Sequence, residues 1–376
     1  MKILIAYRDN LETDNLFVQT LVSGLRSLNI SVDLSLDTFW DEKRAHAYDI
    51  IHIHWPEELF KWERVSEENL RHLSSKLSSL RDAGVKIVYT RHNLVPHYSS
   101  RQLIELYSIV ETYCTTVVHM GDFSRKEFDS KYPGNNQMHA VIAHHIYENV
   151  YNEQITQEDA RRGLGISKGK FVILSFGKFR QKEEMFMVLK AFCRLRVKKK
   201  YLLAPRFFPF EKRPHNKKCI NRFLSVLGYH VVRPLFRYFH TRLGLEKELV
   251  SNEDLPVYFA AADVVFIQRI NILNSGNIPT SFLFKKVVVG PDCGNITEIL
   301  RTTANPIFDP ADDKSIVAAL EKAYSLSNVG KGIGNYQYAL AKWGVEKICR
   351  EYMKLYEKCL DHDNCTDNIL INQIFE

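Results

Sequence analysis

Short apolar runs alternate along this chain with stretches whose apolar residues return every three or four positions. The runs at 2–7, 31–36, 49–54, 86–90, 115–119 and 140–143 are apolar at both side-chain parities, as strands of a parallel sheet are when helices cover both faces. Between the first two runs, Phe17, Leu21, Leu25 and Leu28 mark one face of a helix over 12–28, with Asp14 or Asn15 placed to cap it. A second series begins with Phe171-Val172-Ile173-Leu174-Ser175-Phe176 and continues near 201–204, 263–267 and 286–290. The pattern predicts an α/β protein of two doubly wound domains joined through the polar stretch 148–168. A helical stretch at 336–360 follows the last sheet element and can return to the first domain. Open sheets bind ligands beyond the carboxyl ends of their strands, so the expected site is a cleft between two facing domains.

Composition narrows the class. With 376 residues, 45% hydrophobic and 25% charged, the chain is an ordinary globular protein with room for two domains. Seven cysteines, Cys114, Cys193, Cys219, Cys293, Cys349, Cys359 and Cys365, are scattered without a CxxC pair, which suits reduced thiols and argues against a disulfide framework or a zinc site. The apolar run from Met1 to Tyr7 meets Arg8-Asp9-Asn10, too soon for a signal peptide or a membrane span, so the expected location is the cytoplasm.

The pattern that says most about function comes late. Ala262 to Ile267 reads as a buried strand, Asn274-Ser275-Gly276-Asn277-Ile278-Pro279 as a turn opening a short helix, and Lys286 to Gly290 as another strand. A helix start of this kind presents backbone N–H groups and a positive dipole end to an anion, with a ligand-free turn as the plainer alternative. At the end of the strand 171–176, Gly177-Lys178-Phe179-Arg180-Gln181-Lys182 lets the backbone turn closely and gathers three cations. Together the two loops favour a diphosphate site in the second domain.

The first domain carries imidazoles at successive strand ends. His54 precedes Trp55-Pro56-Glu57, His92 precedes Asn93-Leu94-Val95-Pro96-His97, His119 follows Val117-Val118, and His144-His145 follows Val141-Ile142-Ala143. Any one of them suits a hydrogen bond to a loop backbone; four strands delivering imidazoles to one edge suggest a polar, proton-handling face. His92 leads, because Asn93 and the Pro96 turn stiffen its loop. Neither an HxxxH helix nor a flanking carboxylate pair accompanies them, so no metal is expected.

With these segments in view, nearly the whole chain resembles the GT-B glycosyltransferases of the family 4 (group 1) type, which build bacterial surface polysaccharides. Phe176 to Glu183 resembles the family's phosphate loop, Asp254 to Val265 the helix and strand before the donor loop, and Leu273-Asn274-Ser275-Gly276-Asn277 the donor-phosphate turn. Gly290 to Ile299 is similar to the glycine-containing loop that follows, and Asp49 to Glu57 and His92 to His97 to segments of bacterial members. The resemblance implies two Rossmann-like domains facing across a cleft. An acceptor domain would span 1–150, with 336–376 packing back on it, and a donor domain 165–335. It implies transfer of a sugar from a nucleotide diphosphate sugar, without a further cofactor, to a hydroxyl of a glycan, lipid-linked by analogy with the family. Gly177, Lys178, Arg180, Lys182, Asn274, Ser275, Gly276, Asn277 and Glu298 would hold the donor. His92 would contact the transferred sugar or act as base. Arg8, His54, Asn93, His97, His119 and His145 would line the acceptor side. Many members carry two glutamates eight residues apart at the donor; here those places fall on Ile272 and Thr280, which leaves the anomeric outcome open. The alternatives are a non-catalytic lipid- or nucleic-acid-binding protein and a sugar-nucleotide epimerase of the same fold.

Charge separates these readings. Between Arg194 and Glu248 fifteen Lys or Arg face three Glu, so the segment is +12 in a chain of net +7. From about 205 to 245 the cations interleave with aromatics such as Phe207, Phe208, Phe210, Phe223, Tyr229, Phe236 and Tyr238, as in an interfacial helix or a nucleic-acid patch. An enzyme that extends a lipid-linked glycan works at the inner membrane face, so an anionic membrane surface is the expected partner and nucleic acid is not. Each Lys or Arg near an anionic leaflet contributes about 1 kcal/mol. Sedimentation with liposomes is therefore expected to rise with anionic lipid, to fall with salt, and to drop when Lys212, Arg213, Lys217 and Lys218 become Glu. Equal sedimentation with neutral liposomes would remove the membrane from the account.

Overall fold

The computed structural model describes residues 1–8, 15–94, 96, 100–207, 223, 226–232, 241–243 and 250–372. His97 and most of the segment 205–245, including Lys212, Arg213, Lys217 and Lys218, lie outside the described residues. The chain divides into two compact units, Met1–His145 with Gly344–Glu376, and Ile146–Trp343.

The first unit is built on a six-stranded parallel sheet of β1 (Lys2–Ile5), β2 (Ser31–Leu34), β3 (Ile50–Ile53), β4 (Lys86–Arg91), β5 (Thr116–His119) and β6 (Met138–Val141), in the order β2-β1-β3-β4-β5-β6. Side-chain alternation splits its apolar residues into two layers. Ile3, Ile5, Val88 and Val118 pack with Phe17, Leu21 and Leu25 of the helix Leu16–Ser27 and with Ile348, Tyr352 and Tyr356 of the helix Val345–Asn372. Leu4, Ile51, Ile53, Ile87 and Val117 pack on the other face with Leu70, Leu73 and Leu77 of the helix Glu67–Asp82 and Leu106 and Val110 of the helix Arg101–Tyr113. Of the two expected caps it is Asn15 that starts the first helix, its side chain accepting from the Phe17 N–H at 3.1 Å.

The second unit repeats the design with β7 (Phe171–Leu174), β8 (Lys200–Ala204), β9 (Thr241–Leu243), β10 (Val264–Phe266), β11 (Val287–Pro291) and β12 (Ile307–Phe308), in the order β12-β11-β10-β7-β8-β9. Phe171, Ile173, Val264, Phe266, Val287 and Val289 pack with helices Lys182–Arg194 and Asp313–Asn328. Val172, Leu174, Val265 and Val288, of opposite parity, are equally buried. The strands β9 and β12 escaped the sequence pattern because three and two residues are too short to show a period.

The stretch 336–360 is two helices rather than one, Lys331–Trp343 and Val345–Asn372, broken at Gly344. The first belongs to the second unit and the second to the first unit, so the crossover comes at a glycine, eight residues after the position suggested by the pattern. Gly24 and Cys349 meet where the helices Leu16–Ser27 and Val345–Asn372 cross; a Cβ on Gly24 would lie 2.5 Å from the Cys349 Sγ.

Two glycines on the helix Lys331–Trp343 separate packing from propensity. A Cβ on Gly332 would sit 1.8 Å from the Lys285 carbonyl oxygen, whereas one on Gly334 meets nothing within 4 Å. Gly332→Ala is therefore expected to lower the unfolding free energy of the second unit by at least about 2 kcal/mol, and Gly334→Ala to raise it by up to about 1 kcal/mol. Denaturant unfolding of the two variants checks both signs.

Candidate functional site

Each sheet has a place where successive connections leave in opposite directions, and in open α/β sheets ligands bind outside the carboxyl ends of the strands there. In the second unit that place lies between β7 and β10, which are neighbours while β8 and β11 lie to either side. In the first it lies between β1 and β3.

At the second unit's crevice, β7 runs into Gly177, whose φ of +102° suits glycine alone. The carbonyl of Phe176 before it accepts from the Gln268 Nε2 at 3.0 Å and the Asn277 Nδ2 at 3.1 Å. That one oxygen ties the loop after β7 to the end of β10 and to the start of the helix Asn277–Leu283. The Ser175 Oγ donates to the Gln268 Oε1 at 3.2 Å and fixes that amide in turn. Glu184 holds the rest of the loop: its carboxylate accepts from the Arg180 N–H at 2.8 Å, from the Gln181 N–H at 3.4 Å, and from the Arg269 Nη1 at 3.1 Å. The Arg269 guanidinium also bonds the Lys178 carbonyl. With its backbone so held, the loop leaves the side chains of Lys178, Arg180 and Lys182 exposed.

The turn after β10 is equally fixed. Gly276 is the N-cap of the helix Asn277–Leu283, Pro279 lies in its first turn, and the Gly276 carbonyl accepts from the Thr280 Oγ1 at 2.9 Å. The N–H groups of Ser275 and Gly276 have no hydrogen-bond partner among the described residues. Asn274 accepts from the Asn295 Nδ2 at 2.7 Å, and the Asn295 N–H donates to the Leu273 carbonyl at 2.9 Å. Gly294, at φ +54°, allows this approach, since a Cβ there would meet the Ile272 carbonyl oxygen at 2.4 Å. Glu298 is partly exposed on the helix Gly294–Thr302. Ile272 and Thr280, where the resembled family carries carboxylates, hold none, and Thr280 is buried. Gln268, Arg269 and Glu184 were missed in the sequence. The available signals were a polar pair closing the apolar run at 263–267 and a Glu three residues after Gln181 at a helix start.

In the first unit four of the expected imidazoles, His54, His92, His144 and His145, come together around Phe17. The His54 Nδ1 lies 3.1 Å from the His92 Nε2. The His92 ring stacks on Trp55, with centroids 3.8 Å apart, and meets Phe17 edge-on. Phe17 stacks on His145 at 4.7 Å and touches His144. His52, two residues before His54 on the same strand face, bonds the Tyr356 hydroxyl at 2.7 Å and the Thr90 Oγ1 at 2.8 Å. His119 is not part of this cluster: its nitrogens reach Ser124 and His139 instead. The Nε2 of His54 is buried with no hydrogen-bond partner among the described residues.

A carboxylate network continues from His92. The Asn93 Nδ2 donates to the Tyr107 hydroxyl at 3.4 Å, and that hydroxyl bonds both oxygens of buried Glu57 at 3.0 Å. Neighbouring Glu58, fully buried, accepts from the Arg8 Nε at 2.6 Å and the Trp62 Nε1 at 2.5 Å. Sequence reading picked out Arg8, His54, His92 and Asn93 here and missed Glu58, Tyr107 and Trp62. Among the described residues no group of three or more His, Cys, Asp or Glu is arranged to hold a metal ion.

No protein-family model matches the chain, and no curated protein is significantly similar to it in sequence. Solved structures are similar in fold. Anabaena HepE in complex with UDP aligns over 95% of this chain and 100% of its own at 15% identity and a TM-score of 0.66; it has also been solved with UDP-glucose. Sucrose-phosphate synthase from Thermosynechococcus elongatus aligns over 96% and 99% at 13% identity, TM-score 0.67. A glycosyltransferase from Rickettsia africae aligns over 96% and 98% at 12% identity, TM-score 0.63. The chain thus has the two-domain Rossmann-like fold expected of it, the GT-B type. Among the described residues no helix is long and apolar enough to cross a membrane.

Burial makes the first unit sensitive to acid. It pushes His52, His144 and His119 down to about 3, and His54 and His92 well below their usual range, where neighbouring imidazoles add to the effect. Between about 3 and 6.5 the unfolded chain binds protons at these positions that the folded unit does not. This contribution to stability is therefore complete above the unfolded value near 6.5 and is lost as pH falls below it. Unfolding at pH 5 is expected to take up about three protons at His52, His119 and His144 alone. The slope of unfolding free energy against pH between 5 and 6.5 measures this, and a flat profile would contradict it.

Proposed function

We propose that the chain is a glycosyltransferase of the family 4 type that moves a sugar from a nucleotide diphosphate sugar to a hydroxyl of a glycan, lipid-linked, in surface polysaccharide synthesis. The observation that carries this is the pinned Phe176 carbonyl. It fixes a loop bearing Lys178, Arg180 and Lys182 against the turn Asn274–Asn277 at the crevice between β7 and β10. Three exposed cations beside N–H groups that have no partner among the described residues suit a diphosphate better than any neutral ligand. The fold neighbours solved with UDP and with UDP-glucose support the nucleotide sugar as the donor class.

In the reaction the bond from the anomeric carbon to the diphosphate oxygen breaks. The acceptor oxygen bonds to that carbon and its proton leaves to a base or to the diphosphate. Arg180, Lys182 and the Ser275 and Gly276 N–H groups neutralise the departing diphosphate, an electrostatic role. Glu298, on the helix Gly294–Thr302, is the carboxylate assigned to the donor. His92, kept neutral by burial, is a weak base and is better suited to hydrogen-bond the transferred sugar. The first unit, with Arg8, His54, Asn93 and His145 at its strand ends, takes the acceptor. His97 and His119 remain proposed acceptor-side residues from the resemblance. The basic segment 194–248 provides the contact with an anionic membrane face, and the protein acts in the cytoplasm.

Calorimetric titration with UDP tests the donor site. Arg180→Ala or Lys182→Ala is expected to weaken UDP binding at least ~10-fold, about 1.4 kcal/mol for one charge-assisted contact. Undiminished affinity in both variants would remove the diphosphate from this loop.

A further inference from the structure

The first unit's crevice holds a feature that donor binding does not use. The segment His54-Trp55-Pro56-Glu57-Glu58-Leu59-Phe60-Lys61-Trp62 leaves β3, forms the 3-10 helix Pro56–Phe60, and ends with Lys61 at φ +52° and Trp62 at φ +62°. Two consecutive left-handed residues without glycine are costly, and a bulky aromatic there is an outlier. The surroundings impose it. The Lys61 N–H donates to the Glu58 carbonyl at 2.9 Å, the Trp62 N–H to the Glu57 carbonyl at 3.0 Å, and the Glu63 N–H to the Phe60 carbonyl at 2.9 Å.

The side chain is held as firmly. The indole N–H donates to the carboxylate of Glu58, which is fully buried and gripped on its other side by Arg8 at the end of β1. A tryptophan serving the core would be covered, as Trp343 is at 5% exposure; Trp62 is 43% exposed. The chain thus accepts strained backbone and buries a carboxylate, and the outcome is an indole fixed in orientation at the surface. Strain of this kind concentrates at binding sites, and this one adjoins the crevice between β1 and β3.

We propose that Trp62 is a stacking platform for a pyranose ring of the acceptor glycan. The C–H face of a pyranose is apolar and flat enough to cover an indole, while its rim hydroxyls need charged or polar partners. Exposed Lys61 precedes the indole in the chain and partly exposed Arg8 shares the Glu58 carboxylate with it, and either can supply them. A platform already immobilised by Glu58 gives up little freedom on binding. The identity of that glycan as acceptor rests on the glycosyltransferase reading; the stacking itself does not.

The test uses the full chain, an array of defined di- and trisaccharides, and calorimetry with the oligosaccharide that the wild-type protein binds best. UDP affinity is measured in parallel. Trp62→Ala is expected to weaken oligosaccharide binding at least ~10-fold and Trp62→Phe by less, with UDP affinity kept. Oligosaccharide binding at wild-type strength in Trp62→Ala overturns the proposal. So does a wild-type protein that binds no glycan on the array, or a Trp62→Ala variant that loses liposome binding while keeping its glycan. Should Trp62→Ala fail to fold, Trp62→Gly decides, since it removes the ring and suits the φ of +62° there: undiminished glycan binding in that variant overturns the proposal too. Failure of the wild-type protein to bind UDP counts against the glycosyltransferase reading alone and leaves the glycan result to be judged by itself.

Discussion

A parallel sheet covered by helices on both faces leaves water only at its ends, so every polar side chain where a strand emerges must find partners among its neighbours. That requirement shapes both units. At the carboxyl edge of the first sheet it couples His52 to Tyr356 and Thr90, His54 to His92, and Glu57 to Tyr107. At the corresponding edge of the second it couples Ser175 to Gln268 and Glu184 to Arg269. The groups at these edges hold the loops that follow, and the loops carry the exposed chemistry.

The two edges meet the requirement differently. The second unit uses charge: Glu184 pairs with Arg269, and its spare acceptor capacity takes up the Arg180 and Gln181 N–H groups of the loop. Removing the carboxylate would release both the loop and a largely buried guanidinium, a costly change in a low-dielectric setting. The first unit uses neutral rings. Imidazoles stacked on Trp55 and Phe17 are buried, and the His54–His92 hydrogen bond fails once both rings are protonated, so a site built this way keeps its shape at neutral pH and loosens in acid. A diphosphate asks for fixed positive charge, whereas a sugar hydroxyl asks for neutral donors and acceptors. Each edge matches the ligand proposed for it.

Most of the architecture was legible in the hydrophobic pattern because buried parallel strands are apolar at both parities and their helices recur with a fixed period. The strands expected at 31–36, 86–90 and 171–176 begin at the residues where Ser31, Lys86 and Phe171 open β2, β4 and β7. What failed was local. The strand expected at 140–143 begins at Met138, since His139 hides the alternation, and Gly344 divides a stretch whose apolar residues keep a helical period across the break. At the site, charged residues beside a glycine were readable, as Gly177 to Lys182 shows. Residues that position others were not. Gln268 acts through a single carbonyl and Glu58 through an indole 4 residues later, and neither leaves a spacing in the sequence that separates it from an ordinary surface residue.

The same distinction explains why His92 was readable as a site residue while its chemistry was not. Its place at a strand end, with Asn93 beside it, followed from the pattern. The proton affinity of its ring depends on Trp55 lying 3.8 Å from its face and on His52, His144 and His145 gathering around it, contacts made by residues up to 53 positions away in the chain. Desolvation by these rings lowers the affinity and like neighbours lower it further. An imidazole in that setting keeps a hydrogen-bonding nitrogen and loses basic strength, so the packing that brings His92 to the crevice also selects what it can do there.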